Sequence, residues 1–413
     1  FIENNIGEMV RNFCPISIRD LTDPGRQKLG KPSHRSMQMQ CVDKWRMSGR
    51  MLADLHLNCN NTRMKEQRYK NRTLETLLKT AAEQFPATLV TGPRQSGKTT
   101  LLKNLFSNTF DYVSLEPPDV RHSAMEDPRG FLALHTPPVI MDEIQYAPEL
   151  LAYIKEIIDE DRSRNGQFLL TGSQDLLISE KVSETLAGRM AVLRLMPFTN
   201  SEKHGQPQRV FFWDDSGKRR QLPASSGPSL WDSLVQGFYP ETVTRPGLNR
   251  SLWYGSYLQT YLERDIRSLR QIGDLMQYQS FLKILASRSG QILNLSDVSK
   301  DIGIALNTSK TWLSILEATH QIIVLRPYFA NIGKRLVKRP KVYFLDTGLL
   351  CHILGLTEGI HAASGPLAGT IMETAVISEI YKSILHRGLT PEMYFWRTST
   401  GVEVDLLIRW QGR

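Results

Sequence analysis

Between residues 80 and 197 short apolar runs alternate with amphipathic stretches. Leu89-Val90, Tyr112-Val113, Val139-Ile140-Met141, Phe168-Leu169-Leu170 and Leu193–Leu195 read as buried strands. Leu101, Leu102, Leu105 and Phe106 recur at helical spacing. Such β/α alternation predicts a doubly wound parallel sheet. Residues 201–230 (His204-Gly-Gln-Pro, Asp214-Asp-Ser-Gly217, Ser225-Ser-Gly-Pro228) are polar and rich in turn formers, so they predict a connector. Residues 250–290 read as helical, with Tyr257, Tyr261 and Ile266 near one face. Leu295-Ser296-Asp297 opens a short helix ending at Gly303, Asn307-Thr308 opens a second running to Ala318, and two β-type runs follow at 322–325 and 342–345.

The first strand runs into Gly92-Pro93-Arg94-Gln95-Ser96-Gly97-Lys98-Thr99-Thr100, which fits GxxxxGK[ST] at every fixed position and is followed by the amphipathic helix. Gly92 and Gly97 let the backbone curl so that several amides point at one phosphate cluster. The helix adds the positive end of its dipole. Lys98 then reaches the β- and γ-phosphates, and the Thr99 hydroxyl ligates magnesium. Residues 92–100 are therefore the expected ATP-binding loop, with Mg2+ as cofactor.

Hydrolysis needs carboxylates as well. Pro137-Pro138 precede the strand that ends in Asp142-Glu143. Asp142 is expected to hold the metal, and Glu143 to polarise the attacking water as general base. The strand Phe168–Leu170 ends in Thr171-Gly172-Ser173; in a parallel sheet ligands sit at the carboxyl ends of strands, so Thr171 or Ser173 is a candidate to meet the γ-phosphate or the water, with a plain strand-to-loop turn as the alternative. Arg189, in Leu186-Ala187-Gly188-Arg189, has two readings: an arginine stabilising transition-state charge, in cis or from a neighbouring subunit, or a structural ion pair.

Charge changes the picture only after it is located. The net charge is +9, yet residues 1–70 hold 13 Lys/Arg against 7 Asp/Glu. That stretch shows no sustained periodicity, and residues 1–63 read as a poorly ordered or non-native leader, with a basic nucleic-acid arm as the alternative. The four cysteines (14, 41, 59 and 351) lack CxxC spacing, so neither a disulfide framework nor a zinc site is expected. No apolar run approaches the roughly 18 residues of a membrane span. A cytoplasmic protein with no membrane partner is expected. The chain begins at Phe1 and stops at Arg413 directly after a strand-like run, and reads as a fragment.

Taken together, Gly92–Thr99, Ile140–Gln145, Leu169–Gln174, Leu186–Arg189, Gly237-Phe-Tyr-Pro-Glu241 and Tyr261-Leu-Glu-Arg-Asp-Ile-Arg267 resemble the AAA-type P-loop ATPases that carry a C-terminal domain of unknown function 4143. The resemblance covers roughly residues 64–413. It implies a prokaryotic, cytosolic ATP-binding protein, and leaves the cellular role open.

The remaining segments suggest what an ATPase would serve. Helix, tight turn, helix and hairpin over residues 291–346 is the layout of a winged helix-turn-helix. Asn307, Thr308, Lys310 and Thr311 would face outward, with Lys334, Arg335, Lys338, Arg339 and Lys341 in the wing. Residues 307–341 are thus a candidate surface for double-stranded DNA, and protein contacts are the alternative. At the end, a helix bearing Glu373 and then Glu379, followed by a strand pair with Asp405, resembles the start of a PD-(D/E)XK nuclease-like fold whose second carboxylate and lysine are expected beyond Arg413. The predicted architecture is an α/β P-loop NTPase sheet at 64–200, a connector and helical region at 201–290, a winged-helix-like unit at 291–346 and a truncated nuclease-like α/β domain at 347–413. The expected activity is Mg-dependent ATP hydrolysis coupled to a C-terminal DNA-binding or regulatory module. Two alternatives remain: a nucleotide-gated interaction protein with little turnover, and an ATP-dependent DNA-processing nuclease; a homo-oligomer or a protein partner is a candidate under each reading.

Overall fold

The computed structural model describes residues 69–173, 185–206, 211, 229–261, 275–328, 339–398 and 402–410. The leader at 1–63, most of Tyr261–Arg267 and the wing residues Lys334, Arg335 and Lys338 lie outside them.

The first described layer is a five-stranded, all-parallel sheet. Helix α1 (Glu75–Gln84) leads to β1 (Ala87–Thr91) and α2 (Lys98–Phe106), then β2 (Asp111–Ser114), α3 (Pro118–Glu126) and α4 (Pro128–Leu134). Strand β3 (Val139–Asp142), α5 (Leu150–Glu160), β4 (Phe168–Gly172) and β5 (Met190–Arg194) complete it, in the order β2-β3-β4-β1-β5. The central strands β1, β3 and β4 are buried along their whole length because both faces are covered. Leu89, Met141 and Leu170 pack with Phe131, Leu150, Ile154 and Ile158 on one side. Val90, Ile140 and Leu169 pack with Leu74, Leu78, Leu101 and Leu102 on the other. Strand β4 lies between β1 and β3, so the ends of those two strands stand roughly 10 Å apart with one residue of β4 between them.

Helix α6 (Asn200–Lys203) follows, opened by a capping box between Thr199 and Glu202. A helical region comes next: α7 (Leu230–Gln236), α8 (Pro240–Thr244), α9 (Arg250–Tyr261), α10 (Leu275–Ser287), α11 (Leu295–Ile302) and α12 (Leu306–Ala318). Its core is aromatic, with Tyr239, Trp253, Tyr254, Tyr257, Tyr278, Phe281 and Trp312 packed together. Gly303, at φ 80°, ends α11 in the left-handed conformation that stops a helix without a Cβ penalty.

The last strands correct the expected wing. Strands β6 (Ile322–Pro327) and β7 (Lys341–Phe344) do pair antiparallel. They are not a free hairpin, because β6 also pairs in parallel with β8 (Met393–Arg397), which pairs with β9 (Glu403–Ile408). The result is one mixed sheet, β7-β6-β8-β9, with α13 (Thr347–Ile353), α14 (Gly359–Ser364) and α15 (Ala368–Leu385) beside it. Ile323, Leu325, Tyr343, Ile377, Ile384, Met393 and Phe395 form its core against α15. Of the described residues assigned to the wing, Lys341 therefore belongs to the C-terminal sheet and Arg339 lies just before it. Among the described residues no helix is long and apolar enough to cross a membrane.

Candidate functional site

The loop between β1 and α2 is shaped by two glycines at positive φ, Gly92 at 140° and Gly97 at 95°. A Cβ on Gly92 would stand 2.1 Å from the carbonyl oxygen of Leu195, so no other residue fits there. Gln95 takes φ 60°, a left-handed turn at the loop's exposed tip. Lys98 is buried and its Nζ donates to the carbonyls of Gly92 and Pro93, at 3.0 Å each, which draws the ammonium across the mouth of the loop. The Ser96 hydroxyl is buried with no partner of its own. A buried orphan donor inside a loop of amides, beside a buried lysine, fits a polyanionic ligand.

Asp142 closes the site from β3. It accepts from Thr99 Oγ1 at 2.8 Å, from Thr171 Oγ1 at 2.5 Å and from the Tyr112 hydroxyl at 3.0 Å. The intervening strand explains the arrangement, since Thr171 ends β4 between the two groups it helps to align. Thr99 and Asp142 together offer a hard-oxygen pair of the kind magnesium prefers. Thr171 and Ser173 thus part company: Thr171 orients the carboxylate of Asp142, whereas Ser173 meets the next acid.

Glu143 adopts φ 60° and ψ 52°, a strained position for a non-glycine residue. Its amide donates to Thr171 Oγ1 at 3.0 Å. Its carboxylate accepts from Ser173 Oγ at 3.1 Å and closely from Gln145 Nε2, which also donates to Ser173 at 3.1 Å. Burial opposes its charge, but Lys98, Gln145, Arg94 and Ser173 outweigh that and hold the carboxyl below its usual range. Glu143 is therefore an ionised carboxylate tethered at one oxygen. The loop residues Pro93, Arg94 and Gln95 line the same turn, with Arg94 close enough to bias Glu143, and Thr100 stands in the first turn of α2.

Arg189 is elsewhere, and its expected role in cis is corrected. It precedes β5, whose first residue pairs with Ala87 at the start of β1, so it sits at the end of the sheet opposite the phosphate loop. There it forms a bidentate pair with Asp159, Nε to Oδ1 at 2.8 Å and Nη2 to Oδ2 at 3.2 Å. That partnership holds the Asp159 carboxyl down to about 2. The structural ion-pair reading describes it.

A second correction concerns Lys341. As a wing cation it was expected to face outward, but it is 4% exposed. Its Nζ meets Glu403 at 2.5 Å and Glu373 and Asp405 at 3.1 Å each. The Tyr343 hydroxyl also donates to Glu373, at 2.5 Å. Burial opposes the ammonium, but the three carboxylates outweigh it and raise its pKa. Among the described residues no group of three or more His, Cys, Asp and Glu is arranged to hold a metal, and the cluster is one lysine shared by three acids. Asn307, Lys310 and Arg339 are exposed as expected, and Thr308 and Thr311 are half-buried.

Sequence reasoning passed over Tyr112, whose hydroxyl reaches Asp142 from the neighbouring strand, and Arg72, whose guanidinium donates to the Ser96 carbonyl at 3.0 Å. The register Ser114↔Asp142 was the only signal for the first, and it follows from pairing rather than from any local motif.

Residues 84–204 match the family model of an AAA domain. Residues 227–359 match a domain of unknown function 8612, and residues 368–413 match a domain of unknown function 4143. Two uncharacterized proteins, from Mycobacterium bovis and Mycobacterium tuberculosis, are each 28% identical over 344 residues, 83% of this chain and 72% of theirs. Among solved structures, a Walker-type ATPase of Pyrococcus abyssi matches with a TM-score of 0.45 and 16% identity, over 68% of this chain and 94% of that one. RuvB of Thermotoga maritima matches with a TM-score of 0.30 and 15% identity, over 60% and 88%. The chain thus resembles the AAA-type P-loop proteins that carry a C-terminal domain of unknown function 4143.

Proposed function

We propose that this AAA-type protein binds ATP with magnesium, hydrolyses it, and uses nucleotide state to act on its C-terminal half. The observation that carries the reading is the set of bonds around Asp142, which brings Thr99, Thr171 and Tyr112 onto one carboxylate at the mouth of the loop. The amides of residues 93–99 and Lys98 would hold the phosphates, and Thr99 and Asp142 would hold the magnesium. The ion, once bound, supplies charge neutralisation on the phosphate oxygens. Glu143, ionised and adjacent, would accept a proton from the attacking water, with Ser173 and Gln145 keeping the carboxylate in place.

Phosphate release from ATP, measured with and without double-stranded DNA, tests the proposal. Turnover in wild type and its loss in Glu143→Gln support it; no turnover under either condition overturns hydrolysis. One observation favours the lesser reading, a nucleotide-gated switch with little turnover: Gln145 and Ser173 both occupy the same Glu143 oxygen. Stimulation by DNA would support contacts through exposed Asn307 and Lys310 on α12 and exposed Arg339 before β7, residue types that suit phosphate contacts.

A further inference from the structure

The phosphate loop is held from behind by residues that lie far away in the chain. Arg72 is 5% exposed. It donates from Nη1 to the carbonyl of Ser96, inside the loop, at 3.0 Å and from Nη2 to the carbonyl of Met196 at 2.6 Å. Its Nε faces Glu202 Oε2 at 3.4 Å, and its plane lies over the Phe198 ring. Glu202 is fully buried; it accepts the amides of Thr73 at 2.7 Å and Thr199 at 2.9 Å, and its Oε1 stands 3.2 Å from His386 Nδ1. His386 directly follows α15, and its Nε2 accepts the Met196 amide at 3.0 Å.

Met196 is therefore gripped twice, by His386 at its amide and by Arg72 at its carbonyl. One residue earlier, the Leu195 carbonyl fills the space that a Cβ on Gly92 would need. The contacts run without a gap from the first and fifth residues of the phosphate loop to the end of α15. Burial opposes the charge on Glu202, but Arg72, His386 and the amide donors outweigh it and keep the carboxyl well below its ordinary range. Burial dominates for His386 and lowers its pKa despite Glu202, so the ring is neutral, with its bonding partners assigning the proton to Nδ1. The result is one buried ion pair, Arg72–Glu202, braced by a neutral imidazole.

We propose that Arg72 is a positioning residue for the phosphate loop, and that the line Arg72–Glu202–His386 couples the nucleotide in that loop to α15, the helix that carries Glu373; this rests on the nucleotide-binding reading above. A planar guanidinium that donates to two carbonyls while its Nε faces the Glu202 carboxylate has little slack. When phosphates draw the amide of Ser96 forward, the Ser96 carbonyl must take Arg72 with it or lose a buried bond. Either outcome reaches Met196 and Glu202, and both of those contact His386. By linkage, whatever binds or strains α15 changes nucleotide affinity by the same factor.

Hydrogen exchange of the peptide 368–386 is the measurement, made on the full chain with and without magnesium and a non-hydrolysable ATP analogue. Binding of a fluorescent ATP analogue is followed in parallel. In wild type the analogue should change exchange in 368–386, and in Lys98→Ala it should neither bind nor change it. Arg72→Lys keeps the charge but cannot span Ser96, Met196 and Glu202 at once, so it should bind about fivefold more weakly, at the low end of ordinary coupling factors, and lose the exchange response. His386→Leu severs the line at α15 without touching Arg72 and should lose the response too; His386→Gln, which can donate to Glu202 and accept from Met196, should restore it. Wild type that binds the analogue with exchange in 368–386 unmoved overturns the coupling, as does a response in both Arg72→Lys and His386→Leu equal to wild type. Wild type that does not bind the analogue overturns the nucleotide reading itself, and the parallel binding signal tells the two failures apart.

Discussion

Thr99 Oγ1 lies 2.8 Å from Asp142 Oδ1, so the hydroxyl and the carboxylate assigned to magnesium already face each other across the end of β4. They come from segments 43 residues apart in the sequence, and Thr171 fixes the carboxylate by donating to the same Asp142 oxygen. The pair fixes where the ion would sit, and Glu143, the next residue, fixes where water would be activated.

Glu143→Gln keeps the size of the side chain and removes its basicity. Nucleotide affinity should stay within about twofold of wild type, while turnover falls by about 100-fold or more, the usual span of general-base catalysis. Phosphate release under saturating ATP checks the turnover, and equilibrium binding checks the affinity.

Tyr112→Phe removes one of the donors that orient Asp142. A lost hydrogen bond to a charged acceptor is worth about 1.5–3 kcal/mol, so the magnesium concentration for half-maximal turnover should rise by about ten- to 150-fold. The tyrosine itself stays neutral, since burial and the neighbouring Asp142 push its pKa up. Magnesium titration of turnover at fixed ATP is the check, with kcat at saturating magnesium little changed.

Arg189→Ala should leave turnover at wild-type level, because the guanidinium is spent on Asp159 at the far end of the sheet. Melting temperature should fall slightly. A large loss of turnover that depends on protein concentration would instead reveal an arginine acting across a subunit boundary.

Stability should fall as pH drops from about 7 to about 5. The unfolded chain takes up a proton on His386 near its ordinary value of 6.5, whereas the buried ring resists protonation, so acid favours the unfolded state through that window. Glu202 acts the same way lower down: its contribution is present above about 4.5 and is lost as pH falls through its depressed folded pKa. Thermal melts across this range check the sign, and His386→Gln should flatten the upper part of the curve.

The ATPase half was legible because its signals are local. A strand, a glycine-framed turn and a helix lie within about twenty residues, and Asp142-Glu143 end a run that could only be a buried strand. The corrections came from pairings between distant segments. Nothing near Lys341 says that Glu403 and Asp405, more than 60 residues on, will lie beside it, so a lysine in a hairpin reads as a surface cation. The wing itself misled for the same reason: hydrophobic alternation announces β6 and β7 but is silent about β8 as a third partner. Arg189 follows a turn at the wrong end of its strand, which only strand direction reveals. Arg72 and His386 carry no motif at all, and their meaning lies wholly in what they touch.

The carbonyl of Leu195, pressed into the place where Gly92 lacks a side chain, limits how this protein can be taken apart. The nucleotide cradle is not a cassette that ends with β5. Excising residues 84–194 as a free-standing binder would cut the chain one residue before the wall against which the loop is moulded, and transplanting only the loop into another sheet would leave its first glycine facing a void. A graft that works should carry Leu195 and Met196 with it, together with Arg72 from the other side of the sequence.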